Sequence, residues 1–189
     1  MKDIVIVSAA RTAIGRFNGT IQNFSAPKLG ALSIQEAMKR AGIEKDVVDE
    51  VIMGNVISAG LGQNPARQAM IHAELPVGIG AVTVNKVCGS AMKALELGWQ
   101  SILLERSRAV LAGGIESMSQ APYLLPSMRQ GARLGDAVAV DSVVADGLTD
   151  VFGSYHMGIT AENIATAYGI SRQEQDEFAV ASQVKCGQA

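Results

Sequence analysis

Gly80-Ala81-Val82-Thr83-Val84, followed by Asn85-Lys86-Val87-Cys88-Gly89-Ser90-Ala91-Met92-Lys93, reads as a strand handing over to a helix with a cysteine at the junction. The first five residues are apolar and rich in β-branching, which suits a buried strand. From Ala91 to Glu105 the chain is apolar almost all round, with Lys93, Glu96 and Gln100 marking one thin polar stripe at helical spacing. Such a helix is expected to be buried. Unpaired N–H groups and the dipole at a helix N-terminus stabilise negative charge, so a thiol placed there ionises more readily than a free cysteine. Cys88 is therefore a candidate nucleophile. The local pattern leaves a second reading open, in which Cys88 is a small, inert core residue.

Outward from this junction the same alternation recurs. Asp3 to Ala9 reads as a buried strand, followed by a polar loop and an amphipathic helix from about Pro27 to Ala41 that Gly42 stops. Ala31, Ile34, Met38 and Ala41 share one face of that helix. Val51 to Ile57 reads as a strand, and Gly60-Leu61-Gly62 leads into a helix with Asn64 as N-cap and Pro65 at the first helical position. Ala109 to Ala112 is a further strand, running into Gly113-Gly114. Repeated strand–helix alternation predicts an α/β layered domain with a largely buried, at least partly parallel sheet. Ligands bind beyond the carboxyl ends of such strands, where Cys88 and the Gly113-Gly114 turn would lie.

From Ser117 to Tyr155 no period survives, and a loop of that length is expected to serve a site or a contact between subunits. A helix follows from His156-Met157-Gly158 to Tyr168, stopped by Gly169, and Ser171 with Glu174 forms a capping box for a last helix.

The 189 residues, 48% hydrophobic and 18% charged, describe a globular chain that can bury a real core. Net charge is −2 and the basic residues are scattered, which argues against nucleic acid as a partner. Cys88 and Cys186 are too few for a disulfide framework or a thiolate metal site, so no metal is expected and a reducing, cytoplasmic setting is the expectation. The opening run has an acid before a very short apolar stretch, unlike a signal peptide, and no stretch is long enough to span a bilayer.

Other residues carry weaker signals. His156 reads equally as a solvent-facing loop histidine and Met157 as packing; Glu116 reads as a cap for the segment after it. His72 and Cys186 read as exposed residues with no role, and Gly60-Leu61-Gly62 is a weak anion motif.

Several blocks, in order, resemble the N-terminal half of the thiolase family, and the resemblance covers the whole chain. They are Ser8-Ala9-Ala10-Arg11-Thr12, Gly62-Gln63-Asn64-Pro65-Ala66-Arg67-Gln68, Asn85-Lys86-Val87-Cys88-Gly89-Ser90, Gly113-Gly114-Ile115-Glu116-Ser117-Met118-Ser119-Gln120-Ala121-Pro122-Tyr123, His156-Met157-Gly158-Ile159-Thr160-Ala161-Glu162-Asn163 and Ser171-Arg172-Gln173-Glu174-Gln175-Asp176. The resemblance implies a thiolase-like layered fold, with an N-terminal α/β domain over residues 1–117 whose mixed sheet lies between helices, and the first part of a loop domain over residues 118–189.

It also implies acetyl-CoA C-acetyltransferase activity, the reversible condensation of two acetyl-CoA to acetoacetyl-CoA and CoA. Cys88 would take up the acetyl group as a thioester, its backbone N–H would supply one oxyanion donor, and His156 and Met157 would line the pantetheine and acyl pocket. Coenzyme A thioesters would be substrates, with no resident cofactor. A homo-oligomer, or a complex with a C-terminal half, would be the assembly. A family-length chain is about twice this one. The family's C-terminal half, with its activating histidine and acid/base cysteine, is absent, so this chain alone is expected to be inactive. The alternative is a truncated, non-catalytic fragment or interaction subunit. A ketoacyl synthase on the same fold is a further reading, which the His156–Asn163 run disfavours. Ala91 departs from the family, where many members carry glycine.

Overall fold

The computed structural model describes residues 3–188. They fall into two compact units, one ending at Gly147 and the other beginning at Leu148.

In the first unit, helix α1 spans Ala26–Ala41. Proline in its first turn fits a position where the N–H would be unsatisfied, and Gly42 closes it in the left-handed region (φ 63°), donating to Lys39 O and Met38 O. Strand β1 is Glu50–Gly54 and helix α2 is Pro65–His72. The Asn64 side chain caps α2 by accepting from the Arg67 N–H at 3.2 Å. Strand β2 (Gly80–Val84), helix α3 (Ser90–Leu103) and strand β3 (Val110–Gly114) complete the repeating part. A two-residue antiparallel pair, β4 (Tyr123–Leu124) with β5 (Val140–Asp141), stands apart from the main sheet.

The main sheet has the order β2-β1-β3 and is parallel throughout. Side chains alternate across a strand, so the sheet sorts them onto two faces. Val51, Met53, Ala81 and Leu111 pack with Ala31, Ile34 and Met38 of α1 and Ala66, Ala69 and Met70 of α2. Gly30 lets these two helices close on each other: a Cβ there would lie 2.5 Å from Ile115 and 3.1 Å from Ala69. On the other face Val110 and Ala112 meet α3, where a Cβ on Gly98 would come within 3.1 Å of Val110. Asp49 closes the near end of the sheet, accepting from the Arg108 and Ala109 N–H groups and from the Arg108 guanidinium. The Arg108 hydrogen bonds hold the Asp49 carboxyl down to about 2.

The structure corrects four expectations. Asp3 to Ala9 is not a strand: the run pairs with no strand among the described residues, and Val5, Ile6 and Val7 are exposed. Two bonds tie it instead to α1, from Ser8 Oγ to Ala37 O and from Arg40 Nη1 to Ala9 O. An apolar run competent for a strand needs a ladder partner, and the described residues supply none. β2 is an edge strand with no buried residue rather than a buried strand, because among the described residues no strand pairs with its outer side. α3 buries only Ser90, Ala94 and Gly98, while Met92 (76%), Leu95 (49%) and Trp99 (48%) are exposed. Finally, β1 ends at Gly54 rather than Ile57: the Glu116 carboxylate takes the Val56 and Ile57 N–H groups, so neither is available to a ladder.

The second unit carries α4 (Met157–Tyr168) and α5 (Arg172–Gln188), and neither helix buries a residue. Gly169 ends α4 in the left-handed region (φ 65°). The capping box forms: the Ser171 N–H donates to Glu174 at 2.8 Å and the Glu174 N–H donates to Ser171 Oγ at 3.2 Å. The Ser171 N–H, and the Ser171 hydroxyl donating to the same carboxylate oxygen at 2.7 Å, lower the Glu174 carboxyl below its ordinary range. Among the described residues no helix is long and apolar enough to cross a membrane.

Candidate active site

Two glycines set the position of the Cys88 loop. Gly54 and Gly114 are register partners at the carboxyl ends of β1 and β3, and Gly54 also pairs with Val84 at the end of β2. A Cβ on Gly54 would lie 2.6 Å from the Ser90 carbonyl carbon, and one on Gly114 would lie 2.8 Å from the Ala91 methyl. The first turn of α3 therefore rests directly on the strand ends. Ala91 fits because the residue beneath it has no side chain.

Between β2 and α3 the backbone turns through Asn85–Gly89. Val87 sits in the left-handed region at φ 47°, which a β-branched residue disfavours. Its N–H donates to Asn85 Oδ1 at 2.9 Å, an Asx turn, and Asn85 Nδ2 reaches Val56 O at 3.4 Å. The Ser90 hydroxyl accepts from the Lys86 N–H at 2.8 Å and donates to Val87 O at 2.6 Å. Backbone bonds from Gly89 N to Lys86 O and from Ser90 N to Val87 O, both 3.0 Å, close the turn. Cys88 stands at the apex, one residue before the Gly89 N-cap, and is exposed. The core reading of Cys88 is thereby removed. Among the described residues nothing accepts a hydrogen bond from its backbone N–H.

Behind the loop, Glu116 does more than cap the segment after it. One carboxylate oxygen accepts from Asn55 Nδ2 at 2.9 Å, and the other accepts from Val56 N at 2.9 Å and Ile57 N at 3.3 Å. Asn55 is 2% exposed, donates also to Ile115 O at 3.2 Å, and keeps its Oδ1 unpartnered. A chain of bonds thus runs from Glu116 through Val56 and Asn85 to Val87, joining all three strand ends to the loop. Asn55, Asn64, Thr83 and Asn85, with Val82 and Val84, also line a hollow of about 460 Å³ beside β2.

Cys88 belongs to the first unit; His156 and Met157 belong to the second. His156 is exposed and is the N-cap of α4, its Nδ1 accepting from the Gly158 N–H at 3.0 Å. Met157 is the first residue of the helix and is half-buried. His72 and Cys186 are exposed. Among the described residues no three His, Cys, Asp or Glu side chains gather into a group fit for a metal ion. Asn85, Ser90 and Asn55 were missed in sequence. Only Asn85, two residues before a turn, carried a local sign of its bond.

The family model described as "Thiolase, N-terminal domain" matches residues 4–189. An acetyl-CoA acetyltransferase of Cupriavidus necator is 56% identical over 185 residues, which is 98% of this chain and 47% of that protein. Another from Pseudomonas aeruginosa is 55% identical over the same shares, and one from Escherichia coli is 53% identical over 100% of this chain and 48% of its own length. The chain spans about half the length of the curated relatives it matches.

Proposed function

Since the chain belongs to the thiolase family, as its N-terminal domain, we propose that it is the nucleophile-bearing half of an acetyl-CoA C-acetyltransferase. The observation that carries this reading is the exposed Cys88, held at the apex of a braced turn at the start of α3. The Cys88 thiolate attacks the acetyl carbonyl of acetyl-CoA, the bond to the CoA sulfur breaks, and CoA leaves as its thiolate. The acyl group then rests on Cys88 as a thioester. A second acetyl-CoA, deprotonated at its methyl carbon, attacks that thioester, forming acetoacetyl-CoA and returning the Cys88 thiolate. Backbone N–H groups offset the charge of each tetrahedral intermediate, and the free N–H of Cys88 suits that work because its use depends on backbone placement alone.

Residues 118–189 are read as the start of the loop domain, where His156 and Met157 line the pantetheine and acyl pocket. His156 Nε2 is the nitrogen available to a ligand, since Nδ1 is engaged in the cap. Deprotonation of the second acetyl-CoA is assigned to a C-terminal half, without which this chain is inactive; acid/base groups typically contribute ~10²–10⁴-fold. The exposed apolar stripe of α3 and the edges of the sheet, unpaired among the described residues, support that need for a second half. A cytoplasmic homo-oligomer, or a complex with the C-terminal half, is the proposed form. The test is to supply a C-terminal half taken from a relative and follow acetoacetyl-CoA formation from acetyl-CoA. Turnover that requires both pieces and vanishes in Cys88→Ala is expected; turnover surviving Cys88→Ala removes the reading.

A further inference from the structure

Val87 is a β-branched residue at φ 47°, directly before Cys88. Strain of this kind persists only where the surroundings over-determine it. Here the side chains that do so are identifiable. The Ser90 hydroxyl holds the loop from both sides, accepting from Lys86 N (2.8 Å) and donating to Val87 O (2.6 Å), and Ser90 is 4% exposed, so water competes little for either bond. Ser90 cannot retreat, because its backbone rests on Gly54 at a distance no Cβ would tolerate. Asn85 holds the Val87 N–H (2.9 Å) and is itself tied to β1 through Val56 O (3.4 Å).

We propose that Ser90, assisted by Asn85, is a positioning residue for Cys88: its hydroxyl clamps the loop, keeps Val87 left-handed and so holds the thiol and backbone N–H of Cys88 at the start of α3. The inference rests on the reading of Cys88 as the nucleophile and deepens it. Ser90 touches no reacting atom and acts through the Val87 backbone. A glycine at position 87 adopts positive φ without penalty, so it should make the clamp dispensable.

The test is iodoacetamide alkylation of the full chain, with peptide mapping of Cys88 and of Cys186 as internal reference. Ser90→Ala is expected to slow Cys88 about tenfold, a factor within the range that one strained residue represents, while Cys186 keeps its rate. Val87→Gly combined with Ser90→Ala is expected to return Cys88 to within about threefold of the parent chain, because the strain being held is gone. An unchanged Cys88 rate in Ser90→Ala overturns the proposal. So does a loss that Val87→Gly fails to restore, since Ser90 would then only stabilise the helix start. If Ser90→Ala does not fold, Asn85→Ala leaves α3 untouched and is compared with Val87→Gly in the same way. Acetyl-CoA plays no part in the readout. A clamp effect without any acetyl adduct on Cys88 would sink the acyl-transfer reading alone, and an adduct without a clamp effect would sink this one alone.

Discussion

The two faces of the central sheet differ in completeness. Under α1 and α2, Val51, Ala69 and Met70 are fully buried, and Gly30 is pressed so tightly between helices that a methyl would not fit. Across the sheet, α3 meets the strands through Gly98 and its first turn, yet turns Met92, Leu95 and Trp99 to solvent at helical spacing. One face holds the domain together; the other holds the Cys88 loop and leaves an apolar stripe uncovered. Stability is therefore expected to reside on the first face, and contact with a further part of the protein on the second.

The largest expected effect would break this comparison at the seam where α3 meets the strand ends. Gly54→Ala puts a Cβ 2.6 Å from the Ser90 backbone, which cannot yield as a flexible side chain can, and should cost about 3 kcal/mol or more by denaturant titration. Gly113→Ala, one residue from the register partner of Gly54, brings its Cβ no closer than 3.6 Å to Met53 and should cost less than about 1 kcal/mol. Equal costs would mean that the close approach of α3 has been misread.

Next in size is a contrast between the two faces. Met70→Ala empties a fully buried position and should cost about 2–3 kcal/mol, whereas Met92→Ala on the exposed side of α3 should change the stability of this chain by no more than about 0.5 kcal/mol. A large loss from Met92→Ala would show that the stripe is covered within this chain.

The smallest effect lies at the opposite end of the sheet. Hydrogen bonds from Arg108 hold the Asp49 carboxyl down to about 2, so the group is depressed in the folded state relative to an unfolded value of about 3.9. Its stabilising contribution is full above pH 4 and lost as pH falls through about 2. Asp49→Asn should flatten the acid limb of the stability profile in that window, lowering stability slightly above pH 4 and leaving it unchanged where the carboxyl is protonated, the effect being small because the Arg108 side of the pair is exposed and solvent screens it. A carboxyl titration seen by NMR near pH 4 would contradict the contact.

What could be read in sequence was local. Gly42 and Gly169 ended their helices, Asn64 and Pro65 opened one, and Ser171 with Glu174 closed a capping box, each a device spanning a few residues. The misread segments depend on partners distant in the chain. Val5, Ile6 and Val7 are strand-competent but have no ladder to join among the described residues, and Met92, Leu95 and Trp99 look like core by composition while lying exposed or half-exposed. The candidate site divided along the same line. Cys88 announced itself by its place before a helix, but the bonds that hold it come from Ser90, Asn85 and, through Val56, from Glu116, which lies 60 residues from Val56 in the chain. No pattern of residue types encodes a φ of 47° at a valine.

The most direct test of the central claim is the intact mass of the chain after incubation with acetyl-CoA, alone and with a C-terminal half, followed by peptide mapping. The account predicts one acetyl group, on Cys88 and not on Cys186, released by hydroxylamine as a thioester should be. No adduct under either condition, or acetylation of both cysteines alike, would contradict it.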